Sequence, residues 1–105
     1  MNRITAKWLQ GKEQQMRDEI VKTYDVAVDE VEIYSEKQGG RPMLFTVRMS
    51  NDNKNVQVRF NNGREAMEIT EMGEGIEGYK RHLEIILGGN SYYDVLVDIM
   101  GRYLR

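Results

Sequence analysis

Met43–Asn61 reads MLFTVRMSNDNKNVQVRFN, and its alternation decides the fold class. Met43, Phe45, Val47 and Met49 share one parity, with Thr46, Arg48 and Ser50 on the other. Past the polar run 51–55, Val56, Val58 and Phe60 alternate with Gln57, Arg59 and Asn61. Period-two alternation describes strands of a sheet with one buried and one wet face. A tight turn centred on Asp52-Asn53 sets Phe45 against Phe60, Val47 against Val58 and Met49 against Val56. Pairing and burial then agree.

Working outward, Val28–Lys37 reads as a preceding strand, with Val31 and Ile33 inward and Glu30, Glu32, Tyr34 and Glu36 outward. A two-residue Gly39-Gly40 turn would oppose Ile33 to Thr46, on the wet side. The odd loop Gln38-Gly39-Gly40 opposes Ile33 to Phe45 and Val31 to Val47, with Gly40 supplying positive φ. Arg48 then falls opposite Glu30. Pro42 stands at a strand start, where its missing N–H costs least. Downstream, Asn62-Gly63 signals a type I′ hairpin. It pairs Val58 with Met67 and Val56 with Ile69. Arg64–Glu71 becomes a fourth strand, although Arg64–Met72 also suits a helical turn.

Helices flank this meander. Met16, Ile20 and Tyr24, with Val21 beside them, make an apolar stripe over Lys12–Tyr24. The helix can extend back towards Thr5 across Gly11, which costs about 1 kcal/mol relative to Ala. Ile76, Tyr79, Leu83 and Ile86 form a second stripe, stopped by Gly88-Gly89. Ser91 with Asp94 then caps a last helix. Its polar residues, Asp94, Asp98, Gly101, Arg102 and Arg105, fall on one narrow face. So wide an apolar arc predicts a central core helix, a homodimer surface on this C-terminal helix, or both. The expected fold is α+β, one domain over residues 1–105. It comprises an N-terminal helix, a four-stranded antiparallel β-meander and two C-terminal helices packed on one sheet face.

Composition narrows the function classes. The 105 residues are 40% hydrophobic and 30% charged, ordinary for a globular chain. With no cysteine there is no disulfide and no thiolate metal site, which suits a reducing compartment. The N-terminus lacks a secretory apolar core, and no run approaches the roughly 18 apolar residues of a membrane span. A cytoplasmic location is expected, with no membrane partner. The net charge of −2 hides segregation. Asp25–Glu36 holds five acids, and Glu65, Glu68, Glu71, Glu74 and Glu77 make a second block of five, neither containing a base. Such a bipolar surface can steer a charged partner.

No motif builds an active site. Gly73-Glu74-Gly75-Ile76-Glu77-Gly78 matches G-x-G-x-x-G, but no parallel strand follows and the glutamates would repel a pyrophosphate. Asn51–Asn55 lacks the first-position Asp, the Gly and the closing Glu of a calcium loop. His82 is the only histidine, and one histidine without a nucleophile gives no triad. No enzyme, cofactor or metal is expected.

Two binding classes remain. The element order resembles that of double-stranded-RNA-binding domains, and a meander closed by a helix resembles PUR-repeat and Whirly-type single-strand binders. That topology implies a nucleic-acid face made of Tyr34, Arg48, Lys54 and Arg59, although topology alone gives no function. The favoured expectation is a small non-enzymatic interaction protein. Its seven methionines give adaptable apolar surface, and its acidic patch at Glu65, Glu68, Glu71, Glu74 and Glu77 suits a protein partner. Inhibitors of host proteins encoded by phages and mobile elements are of this type.

Overall fold

The computed structural model describes residues 4–35, 44–61, 63–71 and 81–105. In chain order these form α1 (Ala6–Gln10), α2 (Glu13–Tyr24), β1 (Glu30–Ser35), β2 (Leu44–Ser50), β3 (Asn55–Asn61), β4 (Ala66–Glu71), β5 (Arg81–Ile86) and α3 (Tyr92–Tyr103). The strands build one antiparallel sheet in the order β1-β2-β3-β4-β5. The α+β class and the antiparallel meander hold. The strand number and the C-terminal helices differ from expectation.

The β2–β3 hairpin has the register read from the sequence, with Phe45, Val47 and Met49 opposite Phe60, Val58 and Val56. Asn51 organises its turn. The Asn51 Oδ1 accepts the N–H groups of Asn53 at 3.0 Å and Lys54 at 2.8 Å.

Both flanking registers keep the expected parity but shift by two positions. Ile33 faces Val47 and Val31 faces Met49. The far end of this pair is held by the Asp29 N–H on the Ser50 carbonyl at 2.8 Å and by Asn51 Nδ2 on the Ala27 carbonyl at 3.0 Å. Bonds outside the hairpin thus act on the register as well as its loop; the expected loop at Gln38-Gly39-Gly40, and Pro42, lie outside the described residues. On the other side, Val58 faces Ile69, Phe60 faces Met67 and Asn61 faces Ala66. The connection is therefore longer than a two-residue turn. Asn61 Oδ1 accepts the Arg64 N–H at 3.1 Å, and Glu65 takes a left-handed φ of 53°. This turn takes up Arg64 and Glu65, and the strand interpretation of the following residues stands.

The expected helix through Leu83 and Ile86 is overturned over 81–86. Arg81–Ile86 is a fifth strand paired to β4, with Leu83 opposite Ile69 and Ile85 opposite Met67. Leu83 and Ile85 alternate with Glu84 and Ile86, so the period is two, and the helical spacing of Leu83 and Ile86 is coincidental. These two lie on opposite faces of the sheet. Gly88, at φ 55°, turns the chain after a strand rather than ending a helix. Ile76 and Tyr79 lie outside the described residues.

Two helices replace the single N-terminal one. Thr5 Oγ1 accepts the Trp8 N–H at 3.1 Å to start α1, and the turn at Gly11-Lys12 separates α1 from α2. Leu9, Met16, Ile20, Leu96 and Met100 bring the helices onto Phe45, Val47, Met49, Val56, Val58 and Phe60. Phe45 and Phe60 stack at 4.5 Å between centroids, and Phe60 meets Tyr92 at 6.1 Å. Each fully buried side chain of this size contributes roughly 1.5–3 kcal/mol.

Much of the broad apolar arc of α3 lies in the core: Tyr92, Leu96, Val97, Ile99 and Met100 are buried, and Tyr93, Val95 and Tyr103 are partly buried. Ser91 caps the helix through the Asp94 N–H at 3.4 Å. Gly101, grouped by spacing with the polar face, is buried against the Tyr24 ring. The Tyr24 hydroxyl donates to Asp98 Oδ1 at 2.6 Å, and Arg102 Nε donates to the same oxygen at 2.8 Å. These bonds, that from Arg102 first, hold the Asp98 carboxyl below its ordinary range.

Candidate functional site

Helices cover one face of the sheet. On the other, among the described residues, no helix packs, and the side chains fall into rows fixed by the register. One row runs Tyr34, Thr46, Arg59, Glu68, Glu84. The next runs Glu32, Arg48, Gln57, Thr70. A third holds Leu44, Asn61, Ala66 and Ile86.

Charges of both signs are interleaved here. Glu68 and Glu84 stand directly opposite each other on neighbouring strands, an arrangement that is destabilising unless cations are near. Arg59 stands opposite Glu68, and Arg64 Nη2 reaches Glu84 Oε1 at 3.3 Å. An exposed pair of that kind contributes about 0–1 kcal/mol, so it arranges the surface rather than holding the fold. Arg48 faces Glu32 instead of the expected Glu30, because of the β1–β2 shift, and donates through Nη2 to Gln57 Oε1 at 2.8 Å. Its buried Nε–H has no partner among the described residues.

Between the rows lies a cleft of about 150 Å³ lined by Leu44, Arg59, Asn61, Arg64, Ala66, Glu68 and Glu84, with buried Ala66 at its floor. Small-molecule sites typically occupy ~300–1,000 Å³. This cleft is smaller than such a site. Among the described residues, no group of three or more His, Asp or Glu side chains is placed to hold a metal ion. No helix among them is long and apolar enough to cross a membrane.

The structure distributes the expected acidic patch. Glu65 lies in the β3–β4 turn, Glu68 lies on the face away from the described helices, and Glu71, with the parity of Ile69, lies on the helix side. Glu71 Oε1 accepts Lys54 Nζ at 3.2 Å. Glu74 and Glu77, with the glycine motif around them, lie outside the described residues. Of the expected nucleic-acid set, Tyr34, Arg48 and Arg59 share the face away from the described helices, on three adjacent strands. Lys54 stands apart at the β2–β3 turn with Glu71. Glu84 and Arg64 were absent from both sets. Only the 83/85 alternation pointed to Glu84, since a helical reading of 81–86 cannot place it beside Glu68.

No family model, curated protein or solved structure matches the chain.

Proposed function

We propose that this protein is a small non-enzymatic interaction protein, of the inhibitor type, that docks the sheet face away from its described helices on a protein partner. The observation that carries this reading is the interleaving of Arg48, Arg59 and Arg64 with Glu32, Glu68 and Glu84 on one face, where Arg59, Arg64, Glu68 and Glu84 line a small cleft. A phosphate backbone favours a surface of one positive sign. A protein surface accepts both signs, with complementary charges setting orientation and encounter rate. Glu68 is the member of the second acidic block on this face, so a flat partner meets Glu68 and Glu84 together and leaves Glu71 to Lys54.

The nucleic-acid reading draws on Tyr34, Arg48 and Arg59, an aromatic and two bases on adjacent strands. One experiment separates the two. The immobilised protein is expected to retain a defined protein from lysate after nuclease treatment, while a labelled single strand shows no binding at low salt. Tight strand binding that weakens steeply with salt, and falls in Arg48→Ala and Arg59→Ala, would instead assign the face to nucleic acid.

A further inference from the structure

The two edges of the sheet are finished differently. At β1, Gln10 Nε2 from α1 donates to the Ile33 carbonyl at 2.7 Å, and Arg17 Nη2 from α2 donates to the Asp29 carbonyl at 3.2 Å. Helical side chains thus occupy hydrogen-bonding positions along and beside that edge. At β5, no described residue pairs with the outer side. This strand also carries exposed apolar side chains on both faces, Leu83 at 42% and Ile86 at 62%. An uncovered apolar edge strand is a template for another strand.

We propose that β5 pairs with β5 of a second copy of this chain, antiparallel about a two-fold axis through Leu83, joining two sheets into one. The residue order of the strand selects this occupant. Pairing must keep parity, because a one-residue slip sends Leu83 and Ile85 to the wrong face. With the axis at Leu83, Leu83 faces its own copy, Ile85 faces position 81 and Glu84 faces position 82, a histidine. Moving the axis by one residue to Glu84 also keeps parity, but sets two carboxylates directly opposite each other. Of the two registers that pair five residues of the strand, only the one centred on Leu83 is self-complementary, as an isologous interface requires. This edge adjoins the cleft, which Glu84 lines from β5, and lies apart from the core-facing side of α3.

The test uses the full chain. Sedimentation from low to high micromolar concentration is expected to show a reversible shift from 12.3 kDa to twice that mass. Leu83→Lys, which sets two ammonium groups on the axis, is expected to stay monomeric throughout. Val21→Lys, at an exposed apolar position on α2, is expected to dimerise like the wild type. Because the chain has no cysteine, Leu83→Cys gives an independent readout: mild oxidation is expected to yield a covalent dimer, and Val21→Cys is expected to yield none. A monomer at every concentration overturns the proposal. So does a dimer that survives Leu83→Lys, or one that fails to cross-link through Leu83→Cys.

Discussion

The ring of Tyr24 lies where a Gly101 side chain would be: a Cβ built on Gly101 would fall 2.2 Å from Tyr24 Cδ2. Helix α3 meets α2 at that point because residue 101 has no side chain. The Tyr24 hydroxyl then reaches Asp98 one turn earlier.

Gly101→Ala sets two effects against each other. Alanine favours a helix interior over glycine by about 1 kcal/mol, while overpacking a filled site costs about 1–3 kcal/mol. With a ring carbon in the way, overpacking is expected to win, and denaturant melts should show a net loss of stability. A variant as stable as the wild type would mean that α2 and α3 separate at no cost.

Tyr92 gives the opposite expectation. Its side chain is fully buried against Phe60, and its hydroxyl has no partner among the described residues. An unsatisfied buried polar group costs about 1–3 kcal/mol. Tyr92→Phe is therefore expected to hold or raise the urea midpoint. A clear drop would show that the hydroxyl is bonded.

At high pH two tyrosines act together. Burial, and then the bond to Glu19, push Tyr93 from 10.0 up to about 12. The bond to Asp98 raises Tyr24 as well. Raised folded values mean that this stability is fully present below pH 10.0 and is lost as pH rises towards about 12. Tyr93→Phe should flatten the stability profile over that window. At the acid end, Asp98 is lowered from 3.8, so its contribution is present above that value and fades as pH falls through the depressed one. Asp98→Asn should remove that acid dependence. A wild-type profile flat in both windows would contradict these assignments.

Much of the fold was legible because parity is local. The alternation of Phe45, Val47 and Met49 against Val56, Val58 and Phe60 gives both the hairpin and its pairing. Parity does not give loop length, so Val31 and Ile69 have the right face but partners two positions away. Those registers also involve Asn51, Asp29 and Glu65, whose bonds reach residues distant along the chain. Leu83 and Ile86 fit two periods at once, and only pairing with β4 chooses between them. Gly101 fits a polar stripe by spacing, and the ring that claims it is 77 residues earlier in the sequence. The candidate face was half visible. Tyr34, Arg48, Arg59 and Glu68 could be read from strand parity, whereas Glu84 joins them only once β5 is a strand.

The central claim is that a protein partner docks on the sheet face around Glu68 and Glu84. The most direct test compares partner capture from lysate by the wild type, Glu68→Lys, Glu84→Lys and Asp18→Lys, the last altering an exposed acid on α2. Equal thermal stability is checked for all four, since surface changes of this kind typically alter stability by only about ±0.5 kcal/mol. The account predicts that Glu68→Lys and Glu84→Lys lose the partner while Asp18→Lys retains it. Retention by both β-strand variants, or loss through Asp18→Lys alone, would contradict it.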